Sequence, residues 1–215
     1  MTKKIFWENP YLKSIETRIA SVNGSNVTVE ETIFFAFSGG QESDTGTIAG
    51  YPVIEAAKVG KEIEYMLPGD HNLKEGESIT MKIDWERRYK LMRLHFAAEL
   101  ILQLMYKKLS GSDKIGAHIA KDKARIDFRW KESIAPLLPE LTSEVEFIVQ
   151  KNLEINSSFS DEINEKRFWE VVGFAKVPCG GTHLKRTGEV GKLKLKRKNI
   201  GKGKERIEIY LGSES

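Results

Sequence analysis

Hydrophobic and polar positions divide this chain into a strand-like first part and a mixed remainder. Up to about residue 84, runs such as Asn26–Phe37 and Ser78–Asp84 carry Val, Ile, Thr and Phe at the density of short strands. Turn signals separate them: Asn23-Gly24, Gly39-Gly40 and Pro68-Gly69-Asp70. Strands at this spacing predict a small barrel or sandwich. The character changes at Asp84, a good N-cap followed by Glu86 in the first turn. From Trp85 to Leu109, apolar residues fall at Leu91, Leu94, Ala98, Leu102, Met105 and Leu109, the spacing of a long helix, and Gly111 stands where a C-terminal cap belongs.

Beyond the helix, Ile115–Ala120 and Ala124–Trp130 predict a hairpin, and a second helix is expected from Pro139 to about Lys151. Residues 161–172 are ambiguous and are read as a shorter helix. Alternation returns at the end. Leu193 and Leu195 alternate with Lys192, Lys194 and Lys196, and Ile207 and Ile209 with Arg206, Glu208 and Tyr210. This predicts a hairpin closed through Asn199–Gly203 with one apolar and one charged face. The expected fold class is α+β: an N-terminal small β-barrel over residues 1–84, then a domain over 85–215 with a long helix against an antiparallel sheet.

Composition narrows the function classes. The chain has 215 residues, 40% hydrophobic and 30% charged, enough for a real core and typical of a soluble globule. The one cysteine excludes a disulfide framework and, without a signal peptide, leads to the expectation of a cytoplasmic protein. No apolar stretch approaches the ~20 residues of a membrane span, so no membrane partner is expected. The net charge of +3 conceals an asymmetry. Between Leu184 and Arg206 there are ten basic residues against Glu189 and Glu205, a net +8 that leaves the rest of the chain at −5. Nucleic acid is the natural polyanion for such a face, and phosphate contact is expected at Lys192, Lys194, Lys196, Arg197, Lys198, Lys202 and Lys204.

The cysteine lies in Pro178-Cys179-Gly180-Gly181-Thr182-His183. A Cys and a His four apart around two glycines suit a tight metal loop, because the glycines let the backbone fold thiolate and imidazole towards one ion. His95 and Glu99, four apart on the long helix, share a face. The four offer sulfur, two nitrogens and oxygen, a set suited to Zn²⁺. His118, on the first hairpin, is an additional candidate. Next to these readings stand plainer ones: a helical histidine is more often packed than ligating, and a lone cysteine is most often a buried thiol.

The same residues carry a family resemblance. Trp85-Glu86-Arg87-Arg88, Met92-Arg93-Leu94-His95 and Cys179-Gly180-Gly181-Thr182-His183 resemble the editing domain of alanyl-tRNA synthetase and its freestanding relatives, the AlaX trans-editing proteins. Thr32-Ile33-Phe34-Phe35, Ser38-Gly39-Gly40-Gln41, Asp44-Thr45-Gly46 and Arg125-Ile126-Asp127-Phe128 are similar to further blocks of that family, in the family's order. The length matches the medium-sized AlaX form.

The resemblance implies hydrolysis, at a zinc site, of serine or glycine wrongly esterified to tRNA for alanine. Such a second sieve is physically needed, since one methylene or hydroxyl gives a synthetase pocket only ~1–3 kcal/mol of discrimination. It also implies zinc ligation by His95, Cys179 and His183, and an amino-acid pocket shaped by Thr32 and Gln41. The threonine hydroxyl would bond a serine side chain. The chain departs from the pattern at Ala36, Phe37 and Ser38, and at Glu99, where the family has a second histidine. Glu99 is therefore open between a fourth ligand, a base that orients water, and the mark of a decayed site. The rival function is a non-catalytic tRNA-binding paralogue with a degenerate metal site.

Overall fold

The computed structural model describes residues 2–212. It separates into two compact units, one comprising residues 1–38 and 42–89, the other residues 39–41 and 90–215.

The first unit is almost wholly β. Strand β1 (Lys3–Lys4) leads into the short helix α1 (Ile5–Glu8), then β2 (Ser14–Asn23), β3 (Asn26–Val29), β4 (Glu31–Thr32), β5 (Gly46–Ile48), β6 (Tyr51–Pro52), β7 (Glu55–Val59), β8 (Glu62–Met66) and β9 (Ser78–Ile83). Seven of these pair in the order β6-β5-β9-β2-β3-β8-β7, and β1 lies parallel to β4. Every pairing within the seven is antiparallel. The ladder runs from β6 to β7, so the expectation of a small barrel goes no further than this half-barrel sheet. Alternate residues point inwards, Val27 and Val29 on β3, Ile63 and Tyr65 on β8, Ile79, Met81 and Ile83 on β9, with Phe34 and Phe35 filling the middle.

The long helix α2 (Trp85–Lys108) begins as its sequence predicts: the Asp84 carboxylate accepts the Arg87 backbone N–H at 3.1 Å. In its first turn Arg88 is fully buried and paired with the equally buried Asp44. Arg88 Nε donates to Asp44 Oδ1 at 2.8 Å, and its terminal nitrogens donate to the Pro10 and Ile33 carbonyls at 3.0 and 2.5 Å. Asp44 Oδ2 also accepts the Phe35 N–H at 2.7 Å. This one pair therefore fastens the helix start to both ends of the segment between Ile33 and Asp44. Such a buried pair returns little net energy, but deleting one partner leaves a buried charge alone.

The remainder of α2 belongs to the second unit. The predicted apolar positions Leu91, Leu94, Ala98, Leu102 and Met105 are buried, but so are Met92, Phe96, Ala97, Leu100, Ile101 and Leu104. The middle of the helix is enclosed on most sides rather than along one stripe. Strands β10 (Asp113–Ile119) and β11 (Ala124–Arg129) form the expected hairpin, and α3 spans Leu138–Gln150 after a 3₁₀ turn. Strands β12 (Asn156–Asp161), β13 (Lys166–Val171) and β14 (Ala175–Pro178) form a three-stranded antiparallel sheet. The basic hairpin is β15 (Leu193–Gly201) and β16 (Lys204–Leu211), which joins the first hairpin in the order β10-β11-β16-β15. The whole is a mixed α+β protein with antiparallel sheets and one long helix.

The helix read over 161–172 is corrected to a hairpin. Arg167, Trp169 and Val171 are buried while Lys166 is exposed and Phe168 and Glu170 only half-buried, a period of two. Asp161 caps the intervening turn by accepting the Asn164 N–H at 3.0 Å, and Glu165 turns the chain at a φ of 55°. A charged residue on the buried face, Arg167, and an apolar one on the open face, Phe168, hide this alternation in the sequence.

Replacing Arg88 by Met is expected to cost about 3–5 kcal/mol in urea unfolding, because Asp44 is left buried and unpaired. The double replacement Arg88→Met with Asp44→Leu should recover much of that loss. A single variant within ~1 kcal/mol of the parent would show that the pair does not hold the segment.

Candidate functional site

Five of the predicted site residues meet inside the second unit: His95, Glu99, Cys179, His183 and Gln41. Helix α2 supplies His95 and Glu99, one turn apart. Strand β14 ends at Pro178, and Cys179 is fixed by donating its backbone N–H to the Arg167 carbonyl of β13 at 2.9 Å. The chain then turns through Gly180 and Gly181 to bring His183 back. Cys179 Sγ lies 3.4 Å from His95 Nε2 and 3.3 Å from His183 Nε2. His95, Cys179 and His183 form a group whose donor atoms all lie within 4.8 Å of one another. Glu99 stands beside it, with Oε1 3.5 Å from His95 Nε2 and 3.8 Å from Cys179 Sγ. Its other oxygen accepts the Trp169 indole N–H at 3.3 Å.

These separations test whether the donors suit a metal. Zinc bonds of about 2.3 Å to sulfur and 2.0 Å to nitrogen, set tetrahedrally, place neighbouring ligand atoms about 3.3–3.6 Å apart. The sulfur–nitrogen distances match that edge, and the soft thiolate with two imidazoles is a zinc-type donor set. Glu99 is close to two of the three but outside their mutual group.

Gly181 makes the convergence possible. A Cβ there would fall 2.1 Å from His95 Cε1, 2.6 Å from His95 Nδ1 and 2.9 Å from Gln41 Oε1, so the loop backbone packs directly on the imidazole. A Cβ on Gly180 would meet no atom within 4 Å. Gln41 reaches the same place from the glycine-rich segment. The Gly40 carbonyl accepts the Ile119 N–H of β10 at 2.7 Å, and a Cβ on Gly40 would meet the Ala117 carbonyl oxygen at 2.6 Å. The Gln41 carboxamide then donates to Thr182 Oγ1 at 3.0 Å.

Burial and neighbours set the charges. Desolvation opposes a charged His95, yet Cys179 and Glu99 beside it win and raise its pKa to about 10. His183 goes the other way: burial, then the nearby His95 and Arg167, hold it well below the ordinary histidine value. Burial works against an ionised Glu99, but His95 and the Trp169 indole lower its pKa and keep it a carboxylate. Burial brings the Arg167 guanidinium down to about 10 despite the attraction of Cys179. The buried cluster can thus accept a cation and keep an ionised acid next to it.

The other predicted residues lie elsewhere. Thr32 is fully buried in the first unit, where its hydroxyl contacts Tyr65 OH at 2.5 Å and Met81 Sδ at 3.4 Å and accepts the Phe34 N–H at 3.0 Å. Its place in an amino-acid pocket rests on the resemblance alone. His118 is on β10 opposite Arg125, outside the metal-capable group. Lys194, Lys196 and Lys198 alternate onto the exposed face of β15, and Lys202 is exposed in the turn. Arg197 points the other way, donating to both Glu205 oxygens at 2.6 Å. Sequence reading missed Trp169 and Arg167, which lay in the segment read as helix. It also passed over Ser157, which contacts His183 Nδ1 at 2.9 Å, and Thr182, inside the cysteine motif itself.

The chain is similar to known proteins of alanyl-tRNA editing and synthesis. Residues 167–208 match the family described as the threonyl and alanyl tRNA synthetase second additional domain. The chain is 31% identical to the alanyl-tRNA editing protein AlaX-M of Pyrococcus horikoshii, over 98% of each protein. It is 30% identical to the AlaX-M protein of Methanosarcina mazei, over 98% of this chain and 97% of that one. It is also 32% identical to the alanine–tRNA ligase of Ignicoccus hospitalis, where 99% of this chain matches 26% of the larger protein.

Replacing Gly181 by Ala is expected to lower stability by about 1–3 kcal/mol through overpacking against His95. Gly180→Ala should stay within ~0.5 kcal/mol of the parent. Equal effects of the two in thermal unfolding would contradict the close approach at Gly181.

Proposed function

The chain belongs to the AlaX-M alanyl-tRNA editing proteins, and on that premise we propose that it hydrolyses serine or glycine from mischarged tRNA for alanine. The observation that carries this reading is the gathering of His95, Cys179 and His183 into one donor group, in a chain alike over 98% of its length to named editing proteins. In this reading residues 85–215 form the editing domain and residues 1–84 an accessory domain that carries the glycine-rich segment. A substrate made during translation places the protein in the cytoplasm. No helix among the described residues is long and apolar enough to cross a membrane.

His95, Cys179 and His183 would hold Zn²⁺, which supplies polarisation of an ester carbonyl or of a water. Glu99 is the base. It lies 3.8 Å from the sulfur, and the Trp169 indole restrains its second oxygen. In the hydrolysis, water oxygen bonds to the ester carbon and its proton passes to the Glu99 carboxylate. The bond from that carbon to the ribose oxygen then breaks, and the ribose oxygen takes up a proton, releasing the amino acid and intact tRNA. The polyanion is met by the exposed row Lys194, Lys196 and Lys198, together with Lys202. Lys192 and Lys204 flank that row. Arg197, held by Glu205, orders the hairpin instead.

Purified protein prepared without chelator should contain about one zinc per chain, and Cys179→Ala should lose it. In a deacylation assay, serine or glycine on tRNA for alanine should be released faster than alanine. Binding of the tRNA without hydrolysis would select the non-catalytic paralogue. Glu99→Gln should keep the metal while slowing hydrolysis by roughly 10²–10⁴-fold. Loss of metal in that variant would make Glu99 a ligand.

Alanine replacement of Lys194, Lys196 and Lys198 together should weaken tRNA binding. The slope of log affinity against log salt should become shallower by about one for each phosphate that is no longer neutralised. An unchanged slope would remove the β15 face from the tRNA interface.

A further inference from the structure

Both histidines of the donor group turn Nε2 towards Cys179, which leaves both Nδ1 atoms facing outwards. A histidine that binds metal through Nε2 carries its proton on Nδ1, and that N–H almost always has an acceptor which fixes the tautomer and the ring orientation. For His183 the partner is present, the Ser157 hydroxyl at 2.9 Å. For His95 it is not: Nδ1 is buried and makes no hydrogen bond.

Another buried atom has the complementary deficit. Gln41 is 1% exposed, and its Oε1 accepts no hydrogen bond. The two orphans converge on one point, the place a Cβ on Gly181 would occupy, at 2.6 Å from Nδ1 and 2.9 Å from Oε1. At its other end the carboxamide is anchored, with Nε2 donating to Thr182 Oγ1 at 3.0 Å. Reversing the amide would turn its N–H groups on the Nδ1–H of a metal-binding His95, two donors face to face.

We infer that Gln41 is the outer partner of His95, its Oε1 accepting the Nδ1–H, and that Thr182 orients Gln41 for this. Both are positioning residues for the metal, acting through His95. The inference rests on the metal site proposed above. It gives Gln41 a task beyond shaping an amino-acid pocket, and it explains why the glycine-rich segment is tied by backbone to β10 beside the site. An amide placed there selects the imidazole tautomer that leaves Nε2 free for the ion.

The test is zinc affinity of the full chain, measured by competition with a chromophoric chelator. Gln41→Leu, close in shape but without an acceptor, should bind zinc about 10-fold or more weakly. Thr182→Val should weaken it in the same direction, and Thr182→Ser should restore affinity to near the parent value. In the zinc-loaded parent, long-range proton–nitrogen spectra should show His95 protonated at Nδ1 and that proton protected from exchange. Gln41→Leu should lose the protection. Parental zinc affinity in both Gln41→Leu and Thr182→Val, or an exchange-labile Nδ1 proton in the parent, overturns this inference while leaving the metal site standing. A parent that takes up no zinc overturns the metal site and this inference with it.

Discussion

The site depends on a backbone packed against an aromatic face. Gly181 lies so close to the His95 ring that no side chain can stand between them, and this approach brings Cys179 and His183 to a helix nearly ninety residues earlier in the chain. A hydrogen bond could be lengthened or bridged by water, but a steric approach of this kind admits little compromise, because a packed interior is dense and stiff. The same approach sets where Gln41 can go, since its Oε1 borders the same space. Two glycines, Gly40 against β10 and Gly181 against α2, thus determine what meets at the centre of the second unit.

Around that point the polar groups are arranged so that burial is tolerable. Desolvation works against charge on His95, His183, Glu99 and Arg167 alike, and the outcome at each depends on its neighbours. Burial lowers the pKa of both histidines, but Cys179 and Glu99 outweigh it at His95, whereas His95 and Arg167 add to it at His183. A cluster of this sort costs desolvation that apolar packing avoids, and on α2 it interrupts the buried run between Leu91 and Met105 at His95 and Glu99. Arg88 and Asp44 show the contrasting case: a fully buried pair whose hydrogen bonds are all spent on each other and on neighbouring backbone, leaving nothing to act on a ligand.

The Cys179–His183 loop was legible because its chemistry is local. A Cys and a His separated by glycines, and a His and an acid one helical turn apart, announce themselves in a few residues. The long helix, both hairpins and α3 were legible for a similar reason, since period and caps are short-range signals. The segment 161–172 was not. Its alternation is carried by Arg167, a charged residue in a buried position, and a pattern rule that counts charge as exposed cannot see it. With that strand misread, Trp169 and its bond to Glu99 were out of reach.

Sequence by itself therefore picked out His95, Glu99, Cys179 and His183 as candidates, the helix that carries two of them, the polarity of the last hairpin and the family. Only the tertiary structure decided how those parts are used. It showed that Arg197 serves Glu205, that the lysines of β15 alternate onto the open face, and that Thr32 is occupied by Tyr65. It also brought Gln41, Thr182, Ser157 and Trp169 to the site from four separate segments. The physical reason is range. Ligand identity and helical phase are properties of neighbours in the chain, whereas the hydrogen-bond partner of a buried imidazole belongs to whatever the fold packs against it.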